Sequence, residues 1–119
     1  MDRKTDMPFG WYSSTSMTNN RIDILRGMVA ANPGDSFARY GLAMEYVNSG
    51  KLQEAIDEFQ QLLAVNPNYA AAYFHGGQTY EKLGQIDQAR AAYQKGIEVT
   101  TASGDQHTRS ELQAALDIL

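Results

Sequence analysis

The sequence predicts an all-α protein, a stack of about six helices arranged as antiparallel pairs. Small and apolar residues recur at an interval of 34 residues, so that Gly50 recurs as Gly84 and Ala55 as Ala89. Within each interval, apolar residues fall at steps of three and four, the spacing of one helix face. A fixed period of this length is typical of α-solenoids, in which each unit buries its apolar face against the next.

The N-terminal part of the chain is expected to differ from the rest. Residues 1–20 show no helical period and contain Pro8, Gly10 and many Ser, Thr and Asn residues, which favour turns and disorder. We therefore predict a flexible tail over 1–20 and a folded domain over 21–119. The first helix is expected at 21–31. It ends before Asn32 and Pro33, because the residue before a proline avoids the helical region.

Two full units follow, over 36–69 and 70–103, after a half unit over 21–35. Each full unit is expected to contain two helices, at 36–49 and 53–65 and then at 70–83 and 87–99. Gly50 and Gly84 end the first helix of each unit, since the left-handed residue after a helix is easiest for glycine. The acidic and amide side chains of 53–65 lie opposite its apolar stripe and predict a solvated face.

The last segment, 104–119, predicts a capping helix at 106–118. Thr108 and Glu111 have the spacing of a capping box. Leu112, Leu116 and Leu119 share one face of the helix. We expect them to cover the open end of the stack, because terminal repeats must be covered for solubility.

These residues together resemble the tetratricopeptide repeat, whose unit is a helix-turn-helix of about 34 residues with small and aromatic residues at set places. At those places the first full unit has Leu42, Ala43, Tyr46, Gly50, Ala55, Phe59 and Pro67, and the second has Gly76, Gly77, Tyr80, Gly84, Ala89 and Tyr93. The resemblance implies a right-handed superhelical stack with a concave groove. Thr101 in place of proline and Gly96 in place of alanine depart from the pattern.

Composition argues against several classes of function. Ten basic residues against 14 acidic ones give a formal net charge of −4, unlike the basic surface of a nucleic-acid binder. The chain has no cysteine, and therefore no thiolate metal site or thiol nucleophile. No apolar run is long enough to span a membrane, and the charged N-terminus is unlike a secretory signal. We expect a cytoplasmic protein with no nucleic-acid or membrane partner.

No arrangement of residues predicts catalysis. The sequence lacks a nucleophile paired with a base and a glycine-rich phosphate loop after a strand. His75-Gly76-Gly77 resembles an oxyanion loop, but it falls inside a helix, where the backbone N–H groups are already used. His75 and His107 do not have a metal-ligand spacing. We expect no enzymatic activity, no cofactor and no metal.

The resemblance also implies a groove lined by the first helix of each unit. Carried over by position, the groove residues are Phe37, Tyr40, Met44, Val47 and Asn48, followed by Ala71, Phe74, Gln78, Glu81 and Lys82. The residues themselves give a second argument, because helix 36–49 carries two apolar stripes. A stripe left exposed usually marks an interaction site. The alternative is that Phe37 and Tyr40 pack against helix 21–31.

The predicted function is a protein–protein interaction module, an adaptor or scaffold that binds a peptide or partner surface in the groove. Some family members bind a C-terminal carboxylate with Lys and Asn at the positions that Tyr40 and Met44 occupy here. Tyr40 and Met44 cannot pair with a carboxylate in that way. We therefore expect a ligand with apolar or aromatic side chains, and with a basic residue near Glu81. The alternative is self-association into homo-oligomers, through the groove or the repeat ends. The tail residues Phe9, Trp11 and Tyr12 are candidates to dock in a neighbouring groove.

Overall fold

The computed structural model of the protein describes residues 9–119, with side chains from residue 20 onward. Within that range it is all-α, as the 34-residue period predicts, and contains no strand. The helices are α1 (Phe9–Ala31), α2 (Ser36–Asn48), α3 (Leu52–Val65), α4 (Ala70–Lys82), α5 (Ile86–Ser103) and α6 (Gln106–Asp117).

The first helix is longer than the sequence predicts. It begins at Phe9 rather than at Arg21, so the predicted start of this helix was wrong, while the flexibility expected of 1–20 stays a prediction and residues 1–8 lie outside the described residues. Ser, Thr and Asn disfavour a helix by only a few tenths of a kcal/mol each. Extending a helix that tertiary packing has already nucleated at 21–31 avoids the unfavourable nucleation step.

Glycines with positive φ angles follow the C-termini of three helices. Gly50, Gly84 and Gly104 adopt positive φ angles and end α2, α4 and α5. After Gly50, the backbone N–H of Lys51 donates to the Tyr46 carbonyl at 2.8 Å, the closing bond of a Schellman motif.

The N-terminus of α6 differs from the predicted capping box. Asp105 caps the helix, because its carboxylate accepts a hydrogen bond from the Thr108 N–H at 3.1 Å. Asp35 caps α2 in the same way, accepting from the Ala38 N–H at 3.1 Å. The predicted cap at Thr108 was therefore wrong, because Asp105 lies three residues earlier and already satisfies the free N–H of Thr108.

Consecutive helices pack against one another, and α4 also contacts both α2 and α6. The helices α2, α4 and α6 therefore share one side of the stack, and α1, α3 and α5 form the other. The buried core has two clusters. The first centres on Leu42, Phe59 and Leu62. The second centres on Tyr93 and Leu112, so that α6 covers the end of the stack.

Gly96 departs from the family pattern because the backbone of α5 is closely approached there. A Cβ atom at Gly96 would lie 2.8 Å from the Cβ of Tyr73 and 2.9 Å from the Cδ1 of Leu112. Real Cβ atoms are essentially never that close to other heavy atoms. The missing side chain therefore lets α4 and α6 pack closely on α5, and this offsets the unfavourable helix propensity of glycine.

Candidate partner-binding groove

The side of the stack formed by α2, α4 and α6 brings the predicted groove residues together. Of these residues, Phe37 is 77% exposed. Asn48, Gln78 and Lys82 are also exposed. Half-buried positions are occupied by Tyr40, Met44, Val47, Ala71, Phe74 and Glu81. The predicted groove residues of α2 and α4 are therefore all exposed or half-buried.

Tyr40 lies at the junction of the two full units. Its ring centre is 5.3 Å from that of Tyr69 and 6.0 Å from that of His75. It also packs against the first core cluster, which includes Ile22 of α1. Phe37, at 77% exposure, has little packing against any helix, so the alternative of packing against helix 21–31 does not hold for Phe37 and stays a prediction for Tyr40.

Met44, Val47 and Phe74 take part in the core as well as in the groove. Met44 and Val47 pack against the first core cluster. Phe74 packs against the second, with its ring centre 6.5 Å from that of Tyr93. Substitutions at these three positions would therefore disturb packing, whereas Phe37 can be changed with little effect on the fold.

His75 contacts two of the predicted groove residues, although its own position in the repeat did not indicate it. It is half-buried between the rings of Tyr40 and Phe74. Burial lowers the pKa of His75, and a hydrogen bond with Gln78 and the nearby Glu111 carboxylate partly oppose this. The lowered pKa favours the neutral imidazole, which lies among aromatic rings with hydrogen-bonding nitrogens in an apolar setting.

A cleft of about 360 Å³ lies between α4 and α6. Its lining residues are Gln78, Glu81, Lys82, Tyr93, Ala115 and Ile118. The sequence indicated α6 only as a cap and did not indicate Ala115 and Ile118 as lining residues. The 34-residue step from α2 at Ser36 to α4 at Ala70 leads to residue 104, and α6 begins close to it at Gln106. This step could have indicated that α6 occupies the place of a third such helix.

The Glu81 carboxylate already accepts a hydrogen bond from another residue of the chain. The buried hydroxyl of Tyr93 donates a hydrogen bond to the Glu81 carboxylate. Burial, followed by this hydrogen bond and the charge of Glu81, raises the pKa of Tyr93 far above its ordinary value. A basic ligand residue would therefore have to share Glu81 with Tyr93, which weakens the expectation of a basic anchor at that point.

No group of three or more His, Cys, Asp or Glu side chains in the described part of the chain is arranged to hold a metal ion. None of the described helices combines the length and the hydropathy needed to cross a membrane.

Comparison with known proteins agrees with the period and the helix pairs. The family model for the tetratricopeptide repeat matches residues 40–105, more than half of the chain. The chain belongs to the tetratricopeptide repeat family. It is similar to a TPR repeat-containing protein of Pseudomonas aeruginosa, with 25% identity over 95 residues, 80% of this chain and 90% of that protein.

Solved structures show the same tetratricopeptide architecture. A tetratricopeptide repeat domain protein from Salinibacter ruber is 39% identical, covering 71% of this chain and 86% of its own, with a TM-score of 0.68. PcrH, solved in complex with the chaperone binding region of PopD, is 16% identical but covers 92% of this chain and 83% of its own, with a TM-score of 0.80. The second likeness concerns the fold alone.

Proposed function

We propose that this tetratricopeptide repeat protein is an adaptor that binds a polypeptide segment in the groove along α2, α4 and α6. The observation that carries the proposal is the largely exposed phenyl ring of Phe37 beside the half-buried Tyr40 and Met44. Exposed apolar side chains grouped on one surface commonly mark an interaction site. Aromatic residues and methionine are enriched at protein interfaces, and methionine adapts to different ligand shapes.

The chemistry of the groove favours an apolar or aromatic segment over a carboxylate anchor. Tyr40 and Met44 lack the ammonium donors that would pair with a terminal carboxylate. The α4–α6 end is more polar, and the exposed Lys82 and Gln78 there suit the backbone or acidic side chains of the ligand. In PcrH this architecture holds a region of another protein, which is compatible with a polypeptide ligand.

The test uses Phe37→Glu, a change at an exposed position that should leave the fold intact. Tagged wild type and variant are expressed in the native host, cross-linked and compared by mass spectrometry. Val65→Glu is the matched control, since Val65 is 58% exposed and lies on α3, outside the groove. We expect a partner set that Phe37→Glu loses and Val65→Glu retains, and a synthetic segment of that partner should bind the wild type in calorimetry. Identical partner sets from all three proteins would contradict the proposal.

Self-association through the groove is the alternative function. The tail residues proposed for it, Phe9, Trp11 and Tyr12, lie on α1 where only the backbone is described, so it remains a prediction. Sedimentation of the Phe37→Glu variant, whose substitution lies at an exposed position, separates the two functions. If the wild type is an oligomer and this variant is a monomer at the same concentration, groove-mediated self-association is favoured.

A further inference from the structure

A cavity of about 390 Å³ opens between α1, α2 and α3 and shares no residue with the predicted groove. Its polar and charged lining residues are Arg26, Arg39, Tyr46, Glu58 and Gln61. The cavity lies near the C-terminal end of α1, and the helical rise places Arg26 about 26 Å along that helix from Phe9. The side chains of all its lining residues are described, so the cavity is formed by the packed helices themselves.

Arg39 places a buried charge at this cavity where the next unit has a neutral residue. Its counterpart 34 residues later is Tyr73. The Tyr73 hydroxyl donates to the Pro67 carbonyl at 2.7 Å, and Nη2 of Arg39 reaches the carbonyl of the corresponding proline at 3.5 Å. Glu58, which accepts from Nη1 of Arg39 at 2.9 Å, has Ala92 as its counterpart. A buried ion pair usually stabilises a fold no more than apolar residues of similar volume, so this pair calls for a role besides folding.

A second arginine lines the same cavity at a position that is also neutral one repeat later. In the later pair of helices, the side-chain amide of Gln60 donates to the Tyr80 hydroxyl at 3.0 Å. The counterparts of these residues 34 positions earlier are Arg26 and Tyr46, and both line the cavity. The cavity therefore has two guanidinium groups and a phenol, where the later repeat has neutral groups only at the three corresponding positions.

We propose that this cavity binds an oxyanion, the carboxylate or phosphate group of a small ligand, between Arg26 and Arg39. A guanidinium has five N–H donors in a fixed fork that suits both groups. Nη1 of Arg39 therefore keeps its bond to Glu58 while the remaining donors face the ligand. Two arginines against one glutamate leave the lining with one positive charge, on a chain whose net charge is −4. The cavity lies outside the groove, so this inference does not depend on the proposed function.

The test titrates the full chain with inorganic phosphate and, separately, with acetate, at an ionic strength held constant with chloride. NMR follows the Nε–Hε signals of the arginines. We expect saturable shifts at Arg26 and Arg39, and the anion with the lower dissociation constant distinguishes a phosphate from a carboxylate ligand. Arg26→Gln should raise that dissociation constant by at least about tenfold, because it removes a charge-assisted hydrogen bond to the anion.

Arg26→Gln should keep the fold, since Arg26 is exposed and glutamine already occupies the counterpart position 60. Arg90→Gln is the matched control, because it removes the same charge from α5, where Arg90 pairs with Asp87 outside the cavity. That variant should bind the anion like the wild type. The proposal is overturned if neither anion gives saturable shifts at Arg26 and Arg39 through the millimolar range. It is also overturned if Arg26→Gln weakens binding no more than Arg90→Gln, since the attraction would then follow net charge alone.

Discussion

The ring of Tyr93 lies directly against the backbone of Gly77, so that a Cβ atom at Gly77 would be 2.7 Å from the ring carbon Cδ1 and 2.8 Å from Cζ. This contact joins the two helices of the second full unit, α4 and α5. Tyr93 is fully buried, and its ring cannot move away without opening the second core cluster. The spacing of the two helices therefore depends on the absence of a side chain at Gly77.

The first prediction is that Gly77→Ala destabilises the protein. Alanine gains up to about 1 kcal/mol from helix propensity, but forcing a methyl group against the Tyr93 ring costs about 1 to 3 kcal/mol. Gly27→Ala is the control, because a Cβ there meets nothing within 4 Å among the described residues and the helix-propensity gain remains. Urea unfolding at low protein concentration measures both free energies. A Gly77→Ala variant as stable as Gly27→Ala would show that the Tyr93 ring leaves room for a methyl group at residue 77.

The second prediction concerns alkaline pH. The pKa of Tyr93 is raised above its ordinary value of 10.0 by burial and by the Glu81 carboxylate. The unfolded chain therefore loses this proton before the folded chain does, so the stabilisation is complete below pH 10 and is lost as the pH rises beyond it. Tyr93→Phe should reduce this alkaline loss of unfolding free energy. The substitution should not abolish the alkaline loss of stability, because burial also raises the pKa of Tyr40, Tyr69 and Tyr73.

At neutral pH, Tyr93→Phe should lower the free energy of unfolding by about 1 to 2 kcal/mol, because the hydrogen bond to a charged carboxylate is lost. Tyr80→Phe is a suitable comparison, since its hydroxyl accepts only an exposed hydrogen bond from Gln60 at 3.0 Å. Urea titrations of the three proteins at neutral and alkaline pH provide the measurement. Parallel pH curves for wild type and Tyr93→Phe would mean that Tyr93 does not titrate differently in the folded state.

The third prediction concerns acidic pH. Burial lowers the pKa of His75 below its ordinary value of 6.5, so between the two values the unfolded chain binds more protons. The stabilisation from neutral His75 is present above pH 6.5 and is lost as the pH falls through the lowered pKa. In a comparison from about pH 7 to about pH 5, His75→Gln should lose less stability than the wild type. A His75→Gln curve that runs parallel to the wild-type curve over this range would contradict the prediction.

The fourth prediction concerns the buried pair that joins α2 to α3. The guanidinium of Arg39 donates to Glu58 at 2.9 Å and to Gln61 at 3.1 Å. Arg39→Ala should lower the free energy of unfolding by about 2 to 4 kcal/mol, because it leaves the Glu58 carboxylate with no partner in a nearly buried position. The double variant Arg39→Met/Glu58→Leu should recover much of that loss, since it removes both charges and keeps the volume.

An exposed ion pair provides the comparison for this fourth prediction. Lys95 and Glu98 are 3.3 Å apart, and both side chains are more than half exposed. Lys95→Ala should change the free energy of unfolding by no more than about 0.5 kcal/mol. If Arg39→Ala and Lys95→Ala have equal effects, the burial of the Arg39–Glu58 pair has no energetic consequence.

Much of the fold could be predicted from local patterns. The recurrence of Gly50 as Gly84 indicated where the helices end, because a positive φ angle is a requirement of the backbone at one residue. The N-terminus of α1 could not be predicted, because the Ser-, Thr- and Asn-rich stretch is weakly disfavoured as an isolated helix and becomes helical as an extension of a packed one. The cap of α6 was misassigned because Asp105 and Thr108 are both good capping residues, and only the backbone shows which one precedes the helix.

By itself, the sequence determined that this protein is a stack of helix pairs and which stripes of those helices are apolar, because both follow from periodicities along the chain. Only the tertiary structure decided how these side chains are used: Phe37 is left exposed, Tyr40 packs against His75 of the next unit, and the Tyr93 hydroxyl donates a hydrogen bond to Glu81. The reason is that burial depends on what lies across the helix interface. The residues that face one another across an interface depend on the distance between the two helix backbones. In this chain that distance depends on glycines at points of close approach.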